Sequence, residues 1–366
     1  MLNLKYKAYN TKKLDRLDKL VNTSAWIWNH ALALQITYYR FYKSYIPVGK
    51  MQKHFAKLRR RNQAWQRLNS QTVQELLQRQ DMAYQRFFKK LAKRPPKFKK
   101  ASNFSSFVFK QSGYTLNGNV LTINKVGRFK FSKSREYEKV KRVTVKRDTL
   151  GDFYFVLTCD IEPRKYERLR NGSIGMDFGL STYLTLSDGS EVKNPEFLKQ
   201  DIKKLKLKSK NFSTKKRGSN NRKKALRELN QVHKKIADRR SDFQWKLAHE
   251  LCKHNELIAI EDLCLSGMKS SWGRKVSDLA YGDFVLKLKQ IALKYGTDVV
   301  EIDRFYPSTK LCSCGHFHHG LTLADRKWTC TACGSINQRD LNASKNILAE
   351  GIRLHRTGNQ TSSEAS

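Results

Sequence analysis

The sequence lacks an apolar run long enough to cross a membrane, and it lacks a lipidation motif. Its first residues, MLNLKYKAYNTKK, contain no uninterrupted apolar segment, which predicts that no signal peptide is present. No internal repeat is visible. These absences argue against a membrane as the main partner and predict a cytoplasmic protein.

Acidic residues are also scarce. The 366 residues include 73 Lys and Arg but only 32 Asp and Glu, a formal net charge of +41. A chain with this charge would repel itself in isolation, so the composition indicates a polyanionic partner, and nucleic acid is the main candidate. A simple basic, ribosomal-type protein is the alternative, but 15 Tyr, 19 Phe and 6 Trp favour a protein with further functions. A hydrophobic content of 39% predicts a globular rather than a disordered chain.

Three kinds of hydrophobic pattern follow one another along the chain. Residues 11–92 have helical spacing, and Pro95 and Pro96 end that pattern. Residues 104–162 alternate with period two, and Asn117-Gly118 is a hairpin signal, which together predict a small antiparallel barrel or sandwich. From about 172 strands alternate with helices, which predicts an α/β layer structure. The expected fold class is therefore a multidomain protein with helical, β and α/β parts.

Four of the seven cysteines form a cluster near the C-terminal end, in CSCGHFHHGLTLADRKWTCTAC. Two close pairs of thiols in a chain without a secretion signal are typical of metal ligands rather than disulfides, and four thiolates suit a tetrahedral zinc site. The predicted ligands are Cys312, Cys314, Cys330 and Cys333. The alternative is a remnant knuckle held by packing of Trp328.

The segment 203–240 is the most basic part of the chain. It holds 16 Lys and Arg against two acids, Glu228 and Asp238, and its spacing is helical. A solvated helix face is the simpler interpretation, whereas a track for phosphates explains so extreme a charge. The residues predicted to contact nucleic acid are Arg222, Lys223, Lys224, Lys234, Lys235 and Arg239.

Three carboxylates occupy unusual positions. Asp177 lies in the glycine-flanked apolar run SIGMDFGL, Glu261 ends the apolar strand LIAIE, and Asp340 begins the last strong helix. Buried acids are costly unless a cation lies among them, and Mg²⁺ prefers oxygen ligands of this type. Each acid also has a simpler interpretation: a turn residue, a strand end that meets solvent, and a helix N-cap. Spacing alone does not show that the three converge.

The segments IGMDFGL, LIAIEDL and NQRDLNASKNIL resemble the three catalytic motifs of the RuvC-like nuclease domains of TnpB proteins, which are transposon-encoded, RNA-guided DNA endonucleases related to compact type V CRISPR effectors. The resemblance covers nearly the whole chain. It also includes the basic helical insertion NNRKKALRELNQVHKKIADRRSDFQWKLAHEL, the link RPPKFKKASNFSSFVFKQSG and the entry to the zinc module, YPSTKLCSCGH. It implies that Asp177, Glu261 and Asp340 are a metal-binding catalytic triad on an RNase H-like fold.

The resemblance also implies a division into domains. Residues 1–10 and 98–168 would form a β-barrel wedge domain, and 11–97 a helical recognition domain. Residues 169–302 and 339–356 would form the nuclease domain, with the basic insertion at 203–254. Residues 303–338 would be a zinc ribbon that loads the target strand, and 357–366 a disordered tail.

The function implied by the resemblance is cleavage of double-stranded DNA beside a short target-adjacent motif. Two Mg²⁺ and one Zn²⁺ would be the cofactors. The partners would be a guide RNA from the end region of the mobile element and the DNA target, bound by a monomer with one RNA in a prokaryotic cytoplasm, acting at the nucleoid. Sequence would be selected by base pairing, with the protein holding the heteroduplex by shape and charge. Alternatives are an inactive RNA-guided repressor, an unguided zinc-ribbon nucleic-acid binder and a strand-joining transposase.

Two departures from the family pattern stand out. An acid often lies two residues before the last catalytic Asp, and here that position is Gln338. The first cysteine pair is one residue closer than usual, so His316, His318 or His319 could supply the fourth zinc ligand. The segment SQTVQELLQ resembles a family segment that faces the target-adjacent motif. Its Gln71, Gln74 and Gln78 are candidate base contacts, since Gln pairs with adenine, or else ordinary exposed helix residues.

Overall fold

A computed structural model describes residues 1–162, 164–322 and 325–363. The chain divides into two units, Met1–Pro163 and Arg164–Ser366, and each combines helices with sheets. The expected multidomain organisation with mixed secondary structure is therefore confirmed. Within the described residues, no helix is both long and apolar enough to span a membrane.

The first unit contains two antiparallel sheets. The larger has the order β1-β7-β6-β2 and the smaller the order β3-β4-β5, and an isolated bridge between Ala8 and Phe131 links residues that flank them. The strands are β1 (Leu2–Lys7), β2 (Ser106–Phe109), β3 (Tyr114–Asn117), β4 (Val120–Ile123), β5 (Gly127–Lys130), β6 (Val140–Arg147) and β7 (Phe153–Cys159).

The helices of the first unit pack on the larger sheet. Trp28 lies 6.3 Å from Phe104 between ring centroids, and the Thr72 hydroxyl donates to the Val108 carbonyl at 2.9 Å. Helical and β residues thus share one core, so the expected boundary at 97/98 does not separate two cores. The helices are α1 (Leu14–Tyr42), α2 (Val48–Arg61), α3 (Gln63–Gln66) and α4 (Ser70–Phe88), with a 3₁₀ turn at Ala101–Asn103.

The second unit is built on a five-stranded sheet of order β10-β9-β8-β11-β12. The first three strands form an antiparallel meander, and β11 runs parallel to both β8 and β12. The strands are β8 (Gly172–Phe178), β9 (Thr182–Leu186), β10 (Glu191–Lys193), β11 (Asn255–Glu261) and β12 (Asp298–Ile302). The alternation of strand and helix predicted for this part is present.

Helices cover both faces of this sheet. They are α5 (Phe197–Thr214), α6 (Asn220–His254), α7 (Leu265–Leu279), α8 (Tyr281–Tyr295) and α9 (Arg339–Ser363). Ile258 and Ile260 of β11 share a core with residues of α6 and α8. Ala259 points to the opposite face, as the strand period requires, and packs with Ile347 of α9.

The close approach of α9 depends on residues without bulky side chains. A Cβ on Gly175 of β8 would lie 2.7 Å from the Leu348 backbone nitrogen and collide with the Ser344 carbonyl. Gly351 lies against Ala259 in the same way. Gly175, two residues before Asp177, therefore lets the helix backbone lie directly on the strand.

A cysteine module occupies the connection between β12 and α9. Its hairpin pairs β13 (Lys327–Thr329) with β14 (Ile336–Gln338), and β14 leads directly into α9. Trp328 is buried there with Cys312, Cys330 and Leu321.

The expected disorder from residue 357 is corrected by the structure, which continues α9 to Ser363. The Thr357 hydroxyl donates to the Arg353 and Leu354 carbonyls, so a polar side chain here caps helical carbonyls instead of ending the helix. Residues 364–366 of the expected tail lie outside the described residues.

The Gly175→Ala substitution tests the approach of α9. We expect the free energy of unfolding to fall by about 1–3 kcal/mol, because the added methyl meets backbone atoms that cannot move independently. Urea unfolding of the full chain measures this. Gly49→Ala in α2 is the control, since nothing lies within 4 Å of its Cβ position, and it should leave stability unchanged or slightly raised. Equal midpoints for Gly175→Ala and the unsubstituted protein would contradict the packing argument.

Candidate functional site

Asp177 and Glu261 lie side by side at the carboxyl ends of two parallel strands. Met176 of β8 is in register with Ile260 of β11, so the residues that follow them, Asp177 and Glu261, are neighbours. Met176 and Ile260 both point into the core with α6 and α8, so strand alternation directs the two acids to the face that α9 covers.

Asp340 lies in the first turn of α9. Because α9 is packed against β8 and β11, its N-terminal turn brings this carboxylate within electrostatic range of Asp177. Arg326 donates to Asp340 Oδ2 at 3.2 Å, and Arg339 donates to Asp340 Oδ1 at 2.9 Å. The structure therefore brings together all three acids that the sequence analysis selected.

The acids repel one another in this position. Burial and the charges of Glu261 and Asp340 raise the pKa of Asp177 to about 7, against an opposing effect of Arg339. Burial also raises the pKa of Glu261, although the Ser308 hydroxyl that donates to Glu261 Oε1 acts in the opposite direction. Such a cluster would be stabilised by a cation.

Glu261 is fixed to α9 through the loop that enters the cysteine module. Asn346 Nδ2 donates to the Ser308 and Leu311 carbonyls at 2.6 and 2.7 Å, and Asn342 Nδ2 donates to the Leu311 carbonyl at 2.8 Å. The Ser308 hydroxyl then reaches Glu261. The motif LNASKN thus binds the loop that positions the second acid.

An open cavity of about 1460 Å³ borders Asp177 and Asp340. Leu180, Leu198, Ile202 and Leu321 give it apolar walls. Its basic lining residues are Lys199, Lys275, Lys310, Arg326 and Arg339. A flexible anionic chain with apolar groups could therefore reach two of the acids.

The four predicted cysteine ligands converge. Their sulfur atoms all lie within 4.8 Å of one another, and the Cys312–Cys333 and Cys314–Cys330 distances are both 3.7 Å. Zn–S bonds of about 2.3 Å in a tetrahedron require sulfur–sulfur distances of about 3.8 Å. The shortened first pair therefore still supplies two ligand atoms, and this cluster is a candidate metal site.

The three histidines proposed as substitutes have other contacts. His316 Nε2 lies 3.0 Å from the Thr331 hydroxyl, His318 packs edge-on to Trp328, and His319 packs on Phe317. Hydrogen bonds from the Cys314 backbone N–H and the Ser335 hydroxyl lower the pKa of the Cys312 thiol to about 5. Against the hydrogen bond from the His316 backbone N–H, hydrogen bonding with the Cys333 thiol and burial raise the pKa of Cys314, so Cys312 ionises before Cys314.

The basic segment forms the antiparallel pair α5–α6. Its two acids are paired, Glu228 with Lys208 at 2.9 Å and Asp238 with Lys234 at 3.8 Å. The Arg222 guanidinium donates to the Phe212 and Lys215 carbonyls. Arg239 binds Gln200 and Asp201 and lies over the Phe197 ring.

The residues that are predicted to contact phosphates lie in two different environments. Arg222 and Arg239 fasten α5 to α6, whereas Lys223, Lys224 and Lys235 are exposed. Lys234 is half-buried beside Asp238. Contact of these residues with nucleic acid stays a prediction.

The glutamines of α4 also differ from one another. Gln71 Oε1 accepts from the Gln111 and Ser112 N–H groups at 3.2 and 3.3 Å, and Gln78 Oε1 accepts from Lys110 Nζ at 2.5 Å. Both hold the loop that follows β2, while Gln74 is exposed. Base contact by these residues is likewise still a prediction.

Sequence reasoning did not identify Arg326, Ser308, Asn342 or Asn346. Each lies inside a segment whose motif indicates other residues, and no local pattern marks an Arg 14 positions before Asp340 as its partner. The one signal in the sequence was the spacing of Asn342 and Asn346 in LNASKN, which places two amide side chains one helical turn apart; both are buried.

The fold is similar to that of a solved structure. A structure titled "Cryo-EM structure of the Cas12f1-sgRNA-target DNA complex" matches with a TM-score of 0.58 and 12% identity, over 92% of this chain and 83% of that chain. At this identity the likeness concerns the fold alone.

Sequence comparisons define the family. A model described as "Probable transposase" matches residues 156–271, which include Asp177 and Glu261, and one described as "Cas12f1-like, TNB domain" matches 281–347, which include Asp340 and the four cysteines. A "Putative RNA-guided DNA endonuclease" of Streptomyces pristinaespiralis is 33% identical over 80% of this chain and 74% of its own. "Putative RNA-guided DNA endonuclease InsQ" of Escherichia coli is 28% identical over 92% and 88%. The chain belongs to the TnpB family, which confirms the resemblance seen in its motifs.

The Asp177→Asn substitution tests the electrostatics of the acid cluster. The folded protein holds the Asp177 proton up to about pH 7, whereas the unfolded chain releases it near 3.8. Without Mg²⁺, the stability of the unsubstituted protein should therefore fall as pH rises from about 4 to 7. Because Asn carries no charge, the variant should be more stable by about 1–3 kcal/mol at pH 8 and unchanged at pH 4.

Urea unfolding at both pH values measures the difference. Asp188→Asn, an exposed acid in the β9–β10 turn, is the control and should shift stability equally little at both. A variant with no gain at pH 8 would mean that the three acids do not strain one another.

Proposed function

We propose that the protein is an RNA-guided, Mg²⁺-dependent endonuclease that cuts double-stranded DNA beside a short motif and is associated with a transposable element. The observation that carries the proposal is the convergence of Asp177, Glu261 and Asp340, two of which line an open cavity that also carries five Lys and Arg side chains. Membership of the TnpB family, whose relatives are named as RNA-guided DNA endonucleases, supports the same activity.

On this proposal the second unit holds an RNase H-like nuclease domain at 169–302 and 339–356. The mixed sheet and its parallel pair β8–β11, with α9 on the acid-bearing face, support that assignment. Residues 303–338 would be a zinc ribbon, since they form a two-stranded hairpin with four convergent thiols. Residues 1–10 and 98–168, which lie mostly in the first unit, would be the wedge domain, supported by the pairing of β1 with β7, and 11–97 would be the recognition helices.

The acidic site fits Mg²⁺. Its donors are carboxylate oxygens, which this hard cation prefers, and their mutual repulsion raises the pKa of Asp177. Asp177, Glu261 and Asp340 would hold two ions, which when bound would activate a water and stabilise the leaving oxygen of a phosphodiester.

The other residues around the site have roles that follow from their contacts. Ser308 orients the Glu261 carboxylate, and Asn346 orients Ser308. Arg326 and Arg339 line the cavity beside Asp340 and present cationic donors to an incoming phosphate. The apolar walls would contact bases or sugars without selecting sequence.

The cysteine cluster fits Zn²⁺, because four thiols lie at the spacing that a tetrahedral site requires. Its ligands would be Cys312, Cys314, Cys330 and Cys333. Bound zinc would fix the hairpin from which α9 and Asp340 begin.

A guide RNA would supply sequence specificity, and the basic surfaces would hold it with its target. The chain would act as a monomer with one RNA. A repressor that no longer cuts is disfavoured, because all three acids are present and converge. An unguided zinc-ribbon binder would explain the cysteine module but not the acid cluster.

Two measurements test the proposal together. Protein expressed with its flanking DNA should retain, through a high-salt wash, one dominant structured RNA that ends in a variable segment. That complex should cut DNA matching the segment, and Asp177→Ala should abolish cutting with RNA and DNA binding intact. Asp188→Ala is the matched control and should cut normally. A mixture of host RNAs would remove the guide, and wild-type cutting by Asp177→Ala would remove the assigned site.

The Cys330→Ser substitution tests the zinc site. Loss of one of four thiolates should lower the zinc content to well below one ion per chain and reduce cleavage, since Asp340 follows the module directly. Elemental analysis and a cleavage assay measure the two effects. Cys252→Ser, at a buried thiol outside the module, should leave the zinc content unchanged. Normal cleavage by zinc-free protein would show that the module does not position the acid.

A further inference from the structure

The last two turns of α1 have no side chain in the protein core. Gln35 is the last buried residue of the helix, and residues 36–42, all within the described part of the chain, are exposed or half-buried. Three of the exposed residues are aromatic: Tyr39 is 58% exposed, Phe41 73% and Tyr42 68%. A helix end with this composition presents large apolar rings to solvent.

These rings project in different directions. Tyr38 and Tyr42 are one turn apart, and their ring centroids are 4.6 Å apart. Tyr39 and Phe41 are two residues apart, so at about 100° per residue their side chains point about 160° apart. Arg40 and Lys43, both exposed, alternate with the rings.

Tyr45, three residues after Tyr42, contacts the C-terminal end of α4. The Tyr45 ring lies 5.4 Å from both the Tyr84 and Phe88 rings, and its hydroxyl donates to Asp81 at 2.7 Å. Phe88 is 51% exposed and is followed by the exposed Lys89 and Lys90. We call the rings of Tyr38, Tyr39, Phe41, Tyr42 and Phe88 the aromatic end.

The surrounding sequence is almost free of acids. Residues 19–135 contain 25 Lys and Arg but only two acids, Glu75 and Asp81. Glu75 pairs with Arg79 at 3.0 Å, and Asp81 accepts a hydrogen bond from the Tyr45 hydroxyl. The aromatic end therefore lies in a region whose charge attracts anions.

We propose that the aromatic end binds unpaired nucleotides of a single-stranded nucleic acid, with bases stacked on its rings and phosphates bound by Arg40, Lys43, Lys89 and Lys90. Every nucleobase has a face that can stack on an aromatic ring, and such stacking with flanking cations is a general mode of single-strand binding. The site is separate from the acid cluster and does not depend on the cleavage proposed for the second unit.

Charge and geometry favour this occupant over three others. A duplex keeps its base faces stacked within itself, so it would offer phosphates to the cations but nothing to the rings. A second copy of the chain would place the same cations opposite one another, and in 19–135 only Asp81 and the Glu75 paired with Arg79 could offset them. A flat anionic membrane would cover rings on only one side of the helix, whereas Tyr39 and Phe41 point to opposite sides.

Photocrosslinking locates the site in the full-length protein, purified free of nucleic acid and measured without Mg²⁺. The probe is a 20-nucleotide RNA with 5-iodouridine, either alone or annealed to its complement. We expect the single strand to crosslink to residues of the aromatic end and the duplex to crosslink there at least tenfold less. Crosslinks confined to other regions would overturn the proposal.

Affinity measurements distinguish the contribution of the aromatic rings to binding from that of the cationic side chains. The combined Tyr39→Ala, Phe41→Ala and Tyr42→Ala variant should bind the single strand about tenfold more weakly with an unchanged salt dependence. The Tyr39→Phe and Tyr42→Phe variant should bind the single strand as tightly as the unsubstituted protein, since the rings remain. Arg40→Gln with Lys43→Gln should weaken single strand and duplex alike and lower the salt slope by about two. Tyr9→Ala removes an equally exposed ring elsewhere in the unit and should have no effect.

Other outcomes contradict the proposal. If the triple alanine variant loses duplex and single-strand binding equally, the rings do not stack on unpaired bases. If the wild type sediments as a dimer and this variant as a monomer, the surface is an interface between copies. If only the wild type binds phosphatidylserine vesicles while its RNA affinity equals that of the variant, the surface is a membrane contact.

Discussion

The close packing of α9 on β8 and β11 is the contact on which the second unit depends. Gly175 lets the helix backbone lie on β8, and Gly351 against Ala259 does the same on β11. Because β8 and β11 carry acids on this face and α9 carries one in its first turn, the contact that closes the core also assembles the site. A wider separation of helix and sheet would move Asp340 away from Asp177.

The same packing explains how three acids can lie close together in a protein that contains few acidic residues. Each carboxylate has a cationic or hydroxyl neighbour: Arg326 and Arg339 at Asp340, Ser308 at Glu261, and the charge of Arg339 near Asp177. These neighbours offset the repulsion only in part, since the pKa of Asp177 is still raised to about 7. A strained cluster of this kind beside an open cavity is typical of a functional site rather than of structural ion pairs.

The sequence analysis selected the three acids that the structure brings together, but it did not identify their neighbours. Asp177 lies in one apolar strand and Glu261 ends another, so the pattern of apolar residues made both acids stand out. Spacing did not show that they converge with Asp340, and only the resemblance to the family motifs implied it. Ser308 and Arg326 could not be found in this way, because each reaches its partner across a loop whose path is set by tertiary contacts. The shared core across the expected boundary at 97/98 was missed for a related reason: a Pro-Pro break marks the end of a helix, but it does not show that Trp28 and Phe104 pack together.

The cysteine module and the acidic site are joined by covalent structure as well as by side chains. Strand β14 continues into α9 without a linker, and the Arg339 N–H donates to the Arg326 carbonyl at 2.9 Å at this junction. The entry loop of the module is bound at the same time to Asn342 and Asn346 of α9, and its Ser308 contacts Glu261. The module therefore restrains two of the three acids from opposite ends of its sequence. For this reason we expect the order of the cysteine module to affect the acid cluster, because the loops that carry the four thiols also contact the elements that carry the carboxylates.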